Sequence, residues 1–261
     1  MTFEHAEYDQ IEQELNDALA VGLEPRGPDV LYDVISGLGL PEGATVVDVG
    51  CGAGRQAVEL ARRFSFEVLG IDPLPRVEEL SEEAAAPGHV SFRTATAEVM
   101  PCSDGSVDLV LYREMLYLVA DLVTVLTECR RVLKPTGHAV VYQLFNTTWL
   151  EPEESKRFWD NPTALRNADI AHFERSVTAA ALTPQEVLDL RSETVEWAEE
   201  QDGKAARELL AAARLIRDPE RYIARFGREA YDIKLNDALW FVYRMIGKLT
   251  QRIYVLGPAP D

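Results

Sequence analysis

Residues 44–54 read Ala44-Thr45-Val46-Val47-Asp48-Val49-Gly50-Cys51-Gly52-Ala53-Gly54, and this stretch decides the fold. A β-branched run of this length is too short for a helix, and three glycines cut it off, so it predicts a strand ending in a tight loop. Downstream the pattern alternates. Gln56–Phe64 has helical spacing, Phe66–Ile71 is a second strand stopped by Asp72-Pro73, and 77–85 reads as a helix. Val90–Thr94 and Val107–Tyr112 are further strands, the latter after the turn Ser103-Asp104-Gly105-Ser106. Leu122–Leu133 is a helix closed by Lys134-Pro135, because proline cannot continue it, and His138–Phe145 is a fifth strand. Strand–helix repetition over a hundred residues implies an α/β fold, a doubly wound and mostly parallel sheet. Such sheets bind ligands at the carboxyl ends of their strands, beside the first one.

The glycine loop narrows the ligand. A dinucleotide fingerprint needs a third glycine where Arg55 stands, and Gly54 is one place early; no Gly-Lys-Ser/Thr follows for a phosphate loop. What remains is a turn that brings backbone N–H groups and a helix N-terminus close to a ligand. Asp72, twenty residues after Gly52, lies at the end of the second strand, where a carboxylate accepts ribose hydroxyls. The site therefore asks for an adenosine-like ligand with a small charged end and no pyrophosphate. S-adenosylmethionine meets that description.

Five motifs in order then resemble class I S-adenosylmethionine-dependent methyltransferases. They are Val46–Gly54, Asp72, Thr96-Ala97-Glu98, Asp104–Val110, and Leu126–Pro135 followed by Thr136-Gly137. The resemblance spans residues 44–145 and implies a Rossmann-like, seven-stranded sheet. It also implies roles. Asp48 and the backbone of Gly50, Cys51 and Gly52 handle the methionine end, Asp72 the ribose, and Leu74 one adenine face. The Ala97 amide meets the adenine edge, and the Tyr112 backbone faces the sulfonium arm. Thr96 stands where many relatives carry an aspartate, and its hydroxyl accepts the adenine amino group more weakly for lack of charge. Thr136 replaces a glycine. Cys51 reads as a small buried residue, not a nucleophile.

Length and charge bound the rest. The chain has 261 residues with a formal net charge of −18, enough for one elaborated domain and repellent to phosphate backbones. The three cysteines, Cys51, Cys102 and Cys129, show no CxxC spacing, which argues against disulfides or a metal centre. With no long apolar run and an acidic start, a soluble cytoplasmic protein without membrane or nucleic-acid partner is expected. Residues 1–43 hold ten acids and one base, whereas 201–248 hold seven acids and ten bases.

Outside the core, His5–Ala20 has helical spacing beside an acidic face, and Val30–Leu38 is a short helix. Thr183-Pro184-Gln185-Glu186 is a capping-box pattern and predicts a helix to Leu190, with Thr194–Ala198 a sixth strand and Arg252–Leu256 a seventh. The resulting division is an N-terminal helical lid at 1–43, a cofactor-binding core at 44–200, a helical cap insertion at 201–248 and a final core strand at 249–261. Lid and cap would shape the acceptor pocket and exclude water. Arg214, Arg217, Arg221, Arg225 and Arg228 recur at helical spacing and read as a solvated face, with Glu220 and Glu229 nearby.

The expected activity is methyl transfer to a small-molecule acceptor, with oxygen slightly favoured over nitrogen or carbon, plausibly in specialised metabolism. The alternative is a protein that binds the cofactor without methyl transfer, as a regulator or a cofactor-scaffolded enzyme; a nicotinamide enzyme is disfavoured by Arg55. Tyr117 and His172 are the candidate catalytic residues, with His5 and Glu114 as further base candidates. Tyr8, Tyr117 and Trp149 are candidate acceptor contacts. The chain is expected to be a monomer or a homodimer.

Overall fold

A computed structural model describes residues 5–20, 25–74, 89–159 and 162–260, with the side chains of 5–9 and 20 excepted. The predicted helix at 77–85 lies outside the described residues. The first strand, β1 (Thr45–Val49), sits mid-sheet, which explains its unbroken apolar run: Val47 and Val49 face one core, Val46 the other. It pairs in parallel with β2 (Glu67–Asp72) and with β4 (Val107–Arg113); β3 (Val90–Thr94) adds to β2, and β5 (Leu133–Asn146) to β4. Two more strands, β6 (Leu182–Arg191) and β7 (Leu249–Pro258), complete a seven-stranded sheet of order β3-β2-β1-β4-β5-β7-β6. Only β7 runs against the others, pairing antiparallel with both β5 and β6. Strand order reverses between β1 and β4, which opens the crevice where such sheets bind ligands.

Helices cover both faces. α1 (His5–Ala20) precedes α2 (Val30–Gly37), and α2 packs with α3 (Arg55–Phe64) on the Val46 face through Val30, Leu31, Ile35, Ala57 and Leu60. α4 (Leu122–Val132) covers the other face with Leu122, Val125, Leu126 and Cys129; its N-terminus is capped by Asp121, which accepts the Val123 N–H at 3.0 Å. After β5 come α5 (Pro152–Phe158), α6 (Pro162–Asn167) and α7 (Ile170–Ala179), and α7 adds Phe173 and Val177 to that core. Four helices then lie between β6 and β7: α8 (Glu193–Asp202), α9 (Lys204–Arg217), α10 (Pro219–Phe226) and α11 (Arg228–Met245). The last three form a third apolar cluster with Leu150, Trp159 and Ala168.

Two expectations fail here. Residues 184–190, predicted as a capped helix, are strand β6, and 194–198, predicted as a strand, lie inside helix α8. The capping pattern is a local signal, and the sheet overrides it: β7 supplies a full antiparallel ladder, and the bulge at Pro184/Glu186 accommodates the proline. In α8, Glu193 and Glu196 favour the helix N-terminus, Val195 is buried, and the Trp197 ring sits 2.8 Å from where a side chain on Gly27 would begin.

Candidate active site

The loop after β1 is built from backbone. Gly50 and Gly52 hold φ of +71° and +53°, conformations that cost other residues about 1–2 kcal/mol each. The Gly50 and Cys51 N–H groups donate to the Ile71 carbonyl at 2.8 and 3.0 Å, lashing the loop to β2. Asp72, buried at the end of β2, accepts the Gly52 N–H at 3.0 Å through Oδ2 and the Leu74 N–H at 3.0 Å through Oδ1. Each carboxylate oxygen keeps a lone pair for a hydroxyl. Among the described residues a Cβ on Gly52 would meet nothing within 4 Å.

Beside the loop lies a cavity of about 350 Å³ lined by Asp48, Gly50, Gln56, Arg113 and Glu114 among others. Asp48 and Gln56 are buried, yet among the described residues Asp48 Oδ2 and Gln56 Nε2 have no hydrogen-bond partner. Burial pushes the Asp48 carboxyl up to about 7, against the pull of the Arg113 charge and the Ala57 N–H. Gln56 Oε1 accepts from Arg113 Nη1 at 2.7 Å and from the Tyr32 hydroxyl at 3.4 Å. A buried acceptor and a buried donor without partners, with a guanidinium between them, suit an α-amino acid group: its ammonium to Asp48, its carboxylate to Gln56 and Arg113.

Farther along the sheet edge, Glu114 closes the cavity with φ of +53°, unusual for a residue with a side chain. Its N–H donates to the Tyr142 carbonyl at 2.8 Å, and its carboxylate accepts from Gln251 Nε2 at 2.7 Å and from the Leu144 N–H at 3.4 Å. Burial raises the Glu114 carboxyl above its ordinary range, and the Gln251 donor and the Arg244 charge pull it back. Arg244, on α11 and only 4% exposed, donates to the Thr194 hydroxyl of α8 and lies over the Trp240 ring at 4.4 Å. Burial lowers its pKa, while Tyr142 and Glu114 hold the charge in place.

The structure brings together some expected site residues and separates others. Asp48, Gly50, Cys51, Gly52 and Asp72 converge at one crevice. The Cys51 thiol is buried, and burial with the nearby Asp48 and Asp72 pushes it up to about 12, so it stays protonated. Leu74 and Thr96 are exposed and Ala97 is buried. The Tyr112 side chain points into the core, leaving only its backbone at the strand end. Tyr117 packs its ring 5.4 Å from Trp159, and burial together with Glu114 pushes its hydroxyl up to about 12. His172 sits in the first turn of α7 and does not line the Asp48 cavity; burial, then Arg166 and Arg175, lower its pKa. Trp149 is exposed and lines a different cavity of about 950 Å³ beyond the ends of β5 and β6, with Thr147, Arg191 and Arg252. The Tyr8 side chain lies outside the described residues. Gln56 and Arg113 were missed, and one signal marked Arg113: it continues the Leu109, Leu111 alternation of β4 as a charge at the carboxyl end.

Residues 47–141 match the family described as Methyltransferase domain. This stretch of the chain is similar to methyltransferase domains. The ubiquinone biosynthesis O-methyltransferase of Cereibacter sphaeroides is 38% identical over 99 residues, 37% of this chain and 39% of that protein. The chain thus spans about two fifths of the length of the curated relatives it matches. Among solved structures, a putative sarcosine dimethylglycine methyltransferase from Galdieria sulphuraria has a TM-score of 0.67 at 18% identity, covering 88% of this chain and 84% of that one. Phosphoethanolamine N-methyltransferase 2 of Haemonchus contortus, in complex with S-adenosyl-L-methionine, has a TM-score of 0.64 at 17% identity, covering 93% and 55%. At these identities the likeness shows the fold alone.

Proposed function

We propose that the protein transfers the methyl group of S-adenosylmethionine to a small-molecule acceptor. One observation carries the reading: unpartnered Asp48 Oδ2 and Gln56 Nε2 lie in one cavity with the glycine loop, whose Gly52 is held by Asp72. This set offers partners for an ammonium, a carboxylate and a ribose at once. Bound there, the cofactor would supply a methyl on a sulfonium already activated by its own charge. The chain's residues position and dry the site. Asp48, Gln56 and Arg113 hold the amino acid end and Asp72 the ribose, while Leu74, Thr96 and Ala97 meet the adenine.

Glu114 faces the same cavity, and its raised pKa makes its carboxylate a stronger base toward an acceptor hydroxyl. In that reading Tyr117 contacts the acceptor beside Glu114, and His172 plays no part in proton transfer. Oxygen is the favoured acceptor atom, supported by the O-methyltransferase relative. The helices of 201–248 serve as a cap, and the enzyme works in the cytoplasm without nucleic acid; the net charge of −18 supports the last point.

Calorimetry with S-adenosylmethionine, followed by incubation of labelled cofactor with phenols, quinols and amines, tests the proposal. Binding and transfer to a small molecule are expected. Transfer to RNA or protein alone overturns it, and tight binding with no transfer makes the cofactor a scaffold.

A further inference from the structure

Two apolar surfaces of the chain remain uncovered, and their charges are opposite. Helix α1 presents Ile11, Leu15 and Leu19 in one i, i+4, i+8 stripe, with Leu15 58% and Leu19 79% exposed. Glu12, Glu14 and Asp17 surround the stripe; among the described residues Glu14 and Asp17 accept only from Gln10 and Gln13 of the same helix. The helix contains no lysine or arginine. A 16-residue helix of this composition is marginal in water by itself and needs its apolar stripe packed.

The second surface lies within the insertion. A groove of about 450 Å³ runs between α9, α10 and α11, floored by Leu215, Tyr222 and Tyr231 and rimmed by Arg214 and Lys234. Phe226, at its end, is 58% exposed. Arg214, Arg217, Arg221 and Arg225 are exposed and have no carboxylate within ion-pair distance among the described residues. The arginine periodicity, read from sequence as a solvated face, therefore lies along and beside an apolar groove.

We propose that α1 of a second copy of this chain occupies the groove, so that two copies exchange their N-terminal helices about a two-fold axis. Among the described residues nothing covers the stripe or the groove, and one reciprocal exchange covers all four surfaces of a pair. The acidic flanks of α1 meet the unpaired arginines, which supplies register and orientation where apolar contact is non-directional. The proposal is independent of the reading of the cofactor site.

The test is the oligomeric state of the full chain by light scattering and sedimentation over a wide concentration range. The expected result is a dimer of twice 29.2 kDa. Leu15→Glu and Phe226→Glu, both at exposed positions and checked for fold by circular dichroism, should each raise the dimer dissociation constant at least tenfold. In a Cys102→Ser background, mixing Leu15→Cys copies with Phe226→Cys copies should yield a disulfide joining the two different chains. A monomer at every concentration overturns the proposal, as does a dimer unmoved by both variants. So does a Leu15→Cys/Phe226→Cys double variant that closes its disulfide within one chain.

Discussion

The carboxyl edge of the sheet carries two polar regions built on opposite plans. Around Gly50, Gly52 and Asp72 every contact runs through backbone, and each donor and carboxylate oxygen is engaged. Around Asp48, Gln56, Glu114 and Arg244 the contacts are between side chains, deep in the protein, and several polar atoms are left unmatched. The first region is shaped before any ligand arrives, with one lone pair left on each Asp72 oxygen. The second holds charges in a low-dielectric place at a cost to stability, and recovers that cost only when a ligand completes it.

Four substitutions would break or sharpen this contrast. Glu114→Gln removes the proton acceptor and should slow methyl transfer to a hydroxyl acceptor by about 10²–10⁴-fold, with cofactor affinity nearly unchanged. Single-turnover kinetics beside calorimetry separates the two, and an unaltered rate would mean that the acceptor needs no base. Asp72→Ala loses the ribose contacts and the anchor of Gly52; a few charge-assisted hydrogen bonds of about 1.5–3 kcal/mol each predict a loss of cofactor affinity on the order of 10²–10³-fold. An unchanged dissociation constant would show that the crevice has been misplaced.

Asp48→Asn should act in two directions at once. The folded protein holds the Asp48 proton up to about pH 7, whereas the unfolded chain releases it near 3.8. Asp48 therefore costs stability progressively as pH rises through that window, on the order of 4 kcal/mol at most. The asparagine variant should melt higher than the parent at pH 8 and alike near pH 4, while binding S-adenosylmethionine more weakly. The parent's own cofactor affinity should fall as pH drops below about 7, where Asp48 must lose a proton to receive an ammonium. Gly52→Ala is expected to have the smallest effect, about 1–2 kcal/mol of stability from its φ of +53°, since no neighbour blocks the methyl group; thermal unfolding reads it directly.

Legibility followed the same divide. The glycine loop, Asp72 and the strand alternation are contiguous or regularly spaced, so the chain order displays the parallel half of the sheet and the ligand end it builds. The side-chain region is assembled from afar: Gln251 reaches Glu114 across 137 positions, and Arg244 meets Thr194 across 50. No local pattern announces such pairings. The exchange of strand and helix at 184–198 has a related cause. Thr183-Pro184-Gln185-Glu186 satisfies every local rule for a helix start, yet β7 offers those residues a complete ladder. Tyr117 was recognisable by its place after β4, but its burial against Trp159 was not.

The reversed direction of β7 has one last consequence. Because β6 ends and β7 begins at the same edge of the sheet, whatever the chain inserts between them is delivered to the rim that carries the glycine loop. Lengthening, shortening or replacing α8 to α11 would leave every ladder pairing and the glycine loop untouched. The junction at Arg191 and Leu249 is thus a port through which the lining of that rim can be exchanged during evolution or engineering without redesigning the scaffold.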